Sequence, residues 1–236
     1  MGERRQAVIV SCEHGGNRVP QRYRALFAGR EDLLASHLGY DIGILPLARQ
    51  LADRLGAPLH AGTVTRLLVD LNRSPGSRTL FSEFSRELPA AERERILERY
   101  YCPYRDGVTE AVASRIAGGG QVLHLALHSF TSEIHGEVRN ADLGLLYDPR
   151  RARERNFCSA LRQELRRALP SLRVRRNYPY LGTSDCVVTT LRRKYSPDSY
   201  LGIEIEVNQK HPEEGGRRWR ELREVFCVVL AELINR

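Results

Sequence analysis

The sequence predicts an α/β fold in three layers, with helices on both faces of a central mixed, mostly parallel sheet. Apolar runs of strand length alternate with segments of helical periodicity, and turns that contain glycine or proline separate them. Strands alternating with helices favour such a sheet. The 236 residues suffice for one large domain and are few for two, so we expect a single domain over residues 1–236.

Each element follows from its local pattern. Apolar runs predict strands at the ranges 7–12, 59–71, 121–128, 144–147, 172–174 and 201–207. Helical spacing predicts short helices at 20–27 and 32–37, and longer ones at 42–55, 83–116 (interrupted near Pro103), 151–169 and 216–235. Polar clusters follow three of the strands. In open α/β sheets, functional groups gather in the loops beyond the carboxyl ends of the strands.

Composition excludes several classes of protein. No apolar run is long enough to span a bilayer, so no membrane partner is expected. Residues 1–6 are charged and lack the pattern of a secretory signal, which makes the cytoplasm the expected location. The five cysteines have no CxxC spacing, which argues against a disulfide framework or a cysteine zinc site.

The formal net charge of +8 makes nucleic-acid binding one interpretation. However, the basic residues share their helices with glutamates, as in residues 151–167, and this pattern is typical of solvated helix faces. We therefore expect no nucleic-acid partner. A positive field would favour the capture of a small anionic substrate.

Two histidines end predicted strands. His14 follows the first strand and precedes two glycines, which let the backbone turn tightly; His128 ends the fourth strand. Each could bind zinc through one ring nitrogen, or could be a histidine without a functional role. His124 shares a strand face with His128, but His128 is nearer to the strand end and is the predicted ligand.

Two carboxylates are further candidates. Asp41 lies where a helix is predicted to begin, and capping of that helix is the alternative to a role in the site. Glu204 and Glu206 project to one face of an apolar strand, where a carboxylate is costly unless it is paired, bound to metal or functional. Glu206 could act as a general base beside zinc or form a structural ion pair.

Arginines could hold a substrate carboxylate. Arg66 and Asp70 have even spacing on a predicted strand, and Asn72 and Arg73 occupy the turn beyond it. Guanidinium groups bind carboxylates through two hydrogen bonds, although a solvated charge cluster is the alternative. Residues 136–142, which include Arg139, and the loop 177–185 could supply substrate contacts or a lid.

Taken together, these segments resemble the N-formylglutamate amidohydrolase family. The resemblance extends over nearly the whole chain. Its ordered elements are His14-Gly15 with Pro20; Tyr40-Asp41-Ile42-Gly43; Arg66 with Asp70-Leu71-Asn72-Arg73; His128-Ser129-Phe130-Thr131; Arg139-Asn140-Ala141-Asp142; Leu145-Leu146-Tyr147-Asp148-Pro149; Tyr180 with Gly182 and Asp185; and Glu204-Ile205-Glu206-Val207-Asn208.

That family is similar to zinc carboxypeptidases and to aspartoacylase-like enzymes. The resemblance therefore implies a three-layer α/β/α fold of the phosphorylase/hydrolase-like, zinc-dependent exopeptidase type. It implies one zinc ion, with another divalent metal as the alternative, at the two histidine positions His14 and His128, and Glu206 as the catalytic glutamate. The carboxypeptidases place a carboxylate ligand three residues after the first histidine, where this chain has Asn17. Asp41 is therefore the expected third ligand, with Glu13 as the alternative.

The function expected from the resemblance is hydrolysis of the N-formyl amide of an acidic amino acid, giving formate and glutamate from N-formyl-L-glutamate. Arg66, Asn72, Arg73 and Arg139 are the candidate substrate-binding residues. The alternatives are a deacylase or carboxypeptidase-like hydrolase acting on another N-acyl amino acid, and a protein that binds an acidic ligand without catalysis. The sequence makes no prediction of oligomeric state.

Overall fold

The computed structural model describes residues 6–236. Residues 1–5 therefore lie outside the described residues, and with them most of the segment 1–6 in which no secretory signal was expected. The elements are β1 (Gln6–Cys12), α1 (Glu31–Ala35), α2 (Ile44–Leu55), β2 (Leu59–Ala61), α3 (Ala90–Ile96), α4 (Cys102–Ala117), β3 (Gln121–Phe130), β4 (Glu133–Ile134), β5 (Glu137–Val138), β6 (Leu143–Leu146), α5 (Ala152–Ala168), β7 (Val174–Arg176), α6 (Val187–Lys194), β8 (Tyr200–Asn208), α7 (Lys210–Glu214) and α8 (Gly216–Ile234). A 3₁₀ helix (Gln21–Phe27) precedes α1, and a π-helical turn (Leu97–Tyr101) joins α3 to α4.

A mixed sheet of six strands forms the centre, in the order β2-β1-β3-β8-β6-β7. Strands β2, β1, β3 and β8 are parallel to one another. β6 runs antiparallel to β8 and parallel to β7. β4 and β5 form a separate antiparallel ribbon. The predicted fold class, α/β with a mixed, mostly parallel sheet, is confirmed.

Both faces of the sheet are buried against helices. Because strand side chains alternate, Leu123, Leu125 and Leu127 of β3 pack into a core with α2, α5 and α8. Val122 and Ala126 face the opposite core, built with α4 and α6. A third apolar cluster lies under the 3₁₀ helix and α3.

The strand predicted at 59–71 is wrong beyond Ala61. From there to α3 the chain is irregular, yet Leu68, Val69 and Leu71 are buried in the third cluster, which explains the misleading apolar pattern. Its polar groups find hydrogen-bond partners outside the sheet: the Thr65 hydroxyl donates to the carbonyl of Gly39. Tertiary burial therefore overrides β-propensity in this segment.

The helix predicted at 83–116 begins only at Ala90 in the structure. It continues through the π-helical turn into α4 instead of breaking, and Pro103 lies in the first turn of α4, where its missing N–H costs little. The sequence analysis did not predict β4, β5, α6 or α7, which are short. Within residues 6–236, no helix combines the length and apolarity that crossing a membrane requires.

Candidate metal centre and active site

The sheet face covered by α4 and α6 carries polar side chains toward the carboxyl ends of β1, β3 and β8. Residues two apart on a strand share a face, and His128 lies directly beside Glu206 in the β3–β8 register. All of the following are less than one-tenth exposed: Ser11, Glu13, His124, His128, Glu204 and Glu206. Parallel pairing thereby brings together residues that are distant in sequence.

His14, Asp41 and His128 form a cluster that could hold a metal ion. One potential ligand atom from each lies within 4.8 Å of the others, and all three side chains are buried. The Asp41 carboxylate oxygen Oδ2 is 2.9 Å from Nδ1 of His128 and 3.5 Å from Nδ1 of His14. The buried His14 Nδ1 has no hydrogen-bond partner among the described residues. Two imidazoles and one carboxylate match the donor set of catalytic zinc sites, so these residues fit the ion.

The other ring nitrogen of each histidine meets a second carboxylate. His14 Nε2 is 2.6 Å from Oδ1 of Asp70, and His128 Nε2 is 3.0 Å from Oε2 of Glu13. Metal-binding histidines characteristically donate their remaining N–H to such a group, which fixes the ring. Glu13 therefore lies on the far side of His128 from Asp41.

The electrostatics of the cluster favour positive charge at its centre. Burial alone would raise the pKa of Glu13, but the hydrogen bond and charge of His128 outweigh it and lower that pKa to about 2. Burial likewise opposes ionisation of Asp41, yet the charges of the two histidines hold its pKa far below the ordinary value. Burial also disfavours a charged His128, but Asp41 and Glu13 raise its pKa well above the ordinary value. A proton or a metal cation satisfies this arrangement.

Glu206 lies in the same cavity as the histidines. The cavity has a volume of about 280 Å³. Glu206 Oε2 is buried and makes no hydrogen bond to any described residue. Burial raises the pKa of Glu206 to about 8, and the charge of His128 only partly opposes this effect. The structural ion pair that the sequence left open is not formed within residues 6–236: no basic side chain lies within 4.0 Å of the Glu206 carboxylate, and the nearby His128 contacts Glu13 and Asp41 instead.

Arg66, Asn72 and Arg73 line the cavity as well. Arg66 contacts Asp41 at 3.3 Å and Asp70 at 3.1 Å. Arg73 lies 3.7 Å from Asp70 and donates to the backbone carbonyl of Asp185 at 2.5 Å. The predicted pairing of Arg66 with Asp70 therefore exists, but in an irregular segment and not on a strand face.

Arg139 does not line this cavity. Its guanidinium donates to the hydroxyl of Tyr180 at 3.1 Å and lies over the rings of Tyr180 and Phe130. Tyr180 does line the cavity. Arg139 is therefore placed to hold a residue of the rim.

The structure also shows the positions of His124 and Asn17 and whether Asp41 caps a helix. His124 is fully buried outside the cluster, where its ring contacts the hydroxyls of Tyr200 and Ser11. Asn17, at the position of the ligand in carboxypeptidases, binds the carbonyl of Leu34 instead. The helix after Asp41 begins at Ile44 with Gly43 as its cap, so Asp41 does not cap it.

Leu181 and Ser184 line the cavity from the loop 177–185 that was expected to supply substrate contacts, and Ser129 lines it next to His128. Sequence reasoning assigned no role in the site to Leu146 or Cys186, which line it as well. It also missed Tyr104, whose hydroxyl donates to Glu13 at 2.8 Å. Tyr104 lies on α4, and no local pattern connects a helical tyrosine with a strand end more than ninety residues earlier. The position of Glu13 after β1 was the one available signal.

Comparison with known proteins identifies the family of this chain. The family model for N-formylglutamate amidohydrolase matches residues 6–211. A gene product of Agrobacterium tumefaciens of known structure is 30% identical, with 96% of this chain and 91% of that chain covered and a TM-score of 0.77. The structure of N-formylglutamate amidohydrolase from Ralstonia eutropha shares 20% identity, covers 98% of this chain and 94% of that one, and has a TM-score of 0.72. No curated protein sequence matches the chain.

The matched region contains the candidate metal ligands His14, Asp41 and His128, the arginines and Glu206. At 20% identity, the Ralstonia structure shows similarity of fold only. The family model, in contrast, matches most of the sequence and shows the family. The chain therefore belongs to the N-formylglutamate amidohydrolase family and is a hydrolase of amide bonds.

Proposed function

We propose that this protein is a zinc-dependent amidohydrolase that removes a formyl or other small acyl group from the nitrogen of an α-amino acid. The observation that carries the proposal is the convergence of His14, Asp41 and His128 with the partnerless carboxylate of Glu206 in one cavity. Family membership makes N-formyl-L-glutamate the reference substrate. The products are formate and the free amino acid.

The metal would be held by His14 and His128 through the ring nitrogens that face Asp41, and by the carboxylate of Asp41. Glu13 and Asp70 occupy the remaining nitrogens, which supports Asp41 over Glu13 as the third ligand. Zinc, when bound, supplies a Lewis acid that activates water and polarises the amide carbonyl.

Glu206 transfers a proton from the attacking water to the leaving nitrogen. Its carboxylate accepts a proton from the attacking water and then delivers that proton to the leaving nitrogen, so the C–N bond breaks with a neutral amine as leaving group. Without a bound metal, burial raises the pKa of Glu206 to about 8. A metal cation beside it would lower that pKa, which favours the ionised carboxylate that the first step needs.

Arg66 and Arg73 orient the substrate by its α-carboxylate. Asn72, whose Nδ2 lies 3.4 Å from Nε2 of His128, adds a further polar group to the lining. Asp41 and Asp70 hold the guanidinium of Arg66 in place, so little side-chain freedom is lost on binding. Arg139 acts from the rim through Tyr180. Fixing the carboxylate determines which carbonyl meets the metal, and such positioning contributes strongly to rate.

The test combines metal analysis with an assay. Purified protein is analysed for bound metal and incubated with N-formyl and N-acetyl derivatives of glutamate, aspartate and glutamine, and formate or acetate release is measured. We expect about one zinc ion per chain and formate release that chelation abolishes. Glu206→Gln should retain the metal and lose about 10²–10⁴-fold in kcat. The matched control Glu214→Gln, on the exposed end of α7, should behave as wild type. Full activity of Glu206→Gln would exclude the proposed role.

A further inference from the structure

A groove adjoins the metal cavity. It has a volume of about 540 Å³, against about 280 Å³ for the cavity itself. Arg66, Ser129 and Tyr180 line both spaces, so the groove and the cavity meet at these three residues. The reaction proposed above takes place in the cavity and gives the groove no role.

The groove presents apolar surface that the described chain leaves uncovered. Leu38 and Tyr180, which line it, are 47% and 44% exposed. Phe81 and Ile134 line it too and are only partly buried. Exposed apolar surface of this kind is typical of binding grooves, because a ligand that covers it removes that surface from water.

The residues around the proposed metal ligands indicate which part of a substrate would enter the groove. Arg73, a proposed contact of the α-carboxylate, lines the cavity and not the groove. In contrast, Arg66 contacts the carboxylate of Asp41 at 3.3 Å, and the backbone N–H of Ser129 donates to the same carboxylate at 3.2 Å. The groove therefore opens beside a proposed metal ligand, where the scissile carbonyl would lie.

The carbonyl carbon of the scissile amide carries the nitrogen on one side and the rest of the acyl group on the other. Because Arg73 would hold the amino acid on the cavity side, the acyl chain is the part of the substrate that faces the groove. Formyl has no carbon beyond its carbonyl, so the formyl substrate leaves the groove empty and is not excluded by it.

From this arrangement we infer that the groove is an acyl subsite, which binds the chain beyond the carbonyl carbon of an N-alkanoyl acidic amino acid such as N-hexanoyl-L-glutamate. The inference rests on the proposed function and extends it from formyl to longer acyl groups. Hydrolysis adds water across the C–N bond and gives the alkanoate and the free amino acid.

A series of N-acetyl-, N-butanoyl- and N-hexanoyl-L-glutamate tests the inference in the metal-loaded protein. Acetyl is the reference for this series, since all three carbonyls carry an alkyl substituent and have similar intrinsic reactivity. Full burial of one methylene is worth about fourfold in binding. Four added methylenes in an open groove should therefore raise kcat/KM by at least about tenfold from acetyl to hexanoyl.

Two variants outside the catalytic machinery show whether the groove causes this increase. Leu38→Ala removes exposed apolar surface from the groove and should reduce the increase. Thr79→Trp places a large side chain at an exposed groove position and should abolish most of it. Neither should change kcat/KM for the acetyl substrate. The matched control is Val138→Ala, because Val138 is an apolar residue that is 73% exposed and lines neither space.

Equal kcat/KM for the acetyl and hexanoyl substrates, or an increase that both variants retain, would overturn the inference, while formate release would still support the proposed function. If no substrate is hydrolysed, the proposed function fails, and calorimetry of N-hexanoyl- and N-acetyl-L-glutamate binding decides about the groove. Tighter binding of the hexanoyl compound that is lost in Thr79→Trp would support the acyl subsite. Equal binding of the two compounds, or no binding, would overturn it.

Discussion

Replacing Glu13 with glutamine separates a residue that orients a metal ligand from one that is itself a ligand. Glu13 is fully buried, and its Oε2 lies 3.0 Å from Nε2 of His128 while Tyr104 donates to its other oxygen. Glutamine preserves the shape and one acceptor oxygen but removes the charge. The His128 ring should therefore become less basic and less firmly oriented.

The expected magnitude follows from the geometry. Loss of a carboxylate behind a metal-bound histidine typically weakens metal affinity by about 10–100-fold, which corresponds to roughly 1.4–2.7 kcal/mol. Asp41 contacts both histidines on the side where the ion would lie. Asp41→Asn should therefore weaken binding by more than about 100-fold. Tyr104→Phe removes only the hydrogen bond to Glu13 and should have a smaller effect than Glu13→Gln.

Zinc affinity is measured by competition with a chromophoric chelator, with chemical denaturation of the metal-free variants as the control for folding. An unchanged affinity in Glu13→Gln would show that the contact with His128 does not support the metal site. A loss as large as that of Asp41→Asn would show that Glu13 is itself a ligand. Either result would refute the assignment of roles drawn from the two faces of the His128 ring.

Three further predictions concern stability. Arg192→Met should lower the free energy of unfolding by about 3–5 kcal/mol in chemical denaturation, because Arg192 and the fully buried Glu154 form an ion pair at 3.0 Å and the change leaves that carboxylate unpaired. Gly144→Ala should cost about 1–3 kcal/mol and reduce kcat, because the added Cβ would lie 1.9 Å from the carbonyl of Tyr178 and 3.2 Å from Cβ of Glu206. Burial lowers the pKa of His124 from 6.5 to about 4, so the unfolded chain takes up a proton first as pH falls, and stability should decrease between these values by up to about 3 kcal/mol. That pH-dependent loss should be absent in His124→Gln.

Each of these has a result that contradicts it. For Arg192→Met, the contradicting result would be a free energy of unfolding equal to that of the wild-type protein. For Gly144→Ala, normal stability with normal kcat would mean that the backbone shifts without disturbing Glu206. For His124, the contradiction is a difference in stability between wild type and His124→Gln that stays constant from pH 7 to about pH 4.5.

The fold class and the positions of most long elements could be predicted from local sequence patterns. The buried strands β1, β3 and β8 carry continuous apolar runs, and α2, α5 and α8 carry helical spacing; both patterns are local. Strand ends with His14 and His128 could be recognised for the same reason. The segment 59–71 was mistaken for a strand because burial in an irregular segment and burial in a strand select the same apolar residues.

Which polar groups come into contact depends on the packing of distant segments and could not be predicted in this way. Asp41 could equally have been a helix cap, and its position between two imidazoles depends on a loop that folds back onto β1 and β3. The contact of Glu13 with the far nitrogen of His128, and the position of Glu206 beside His128, depend on pairings between β1, β3 and β8 that no local pattern encodes. A side chain's residue type and strand face are local properties, whereas its partner and its charge state depend on what the rest of the chain packs against it.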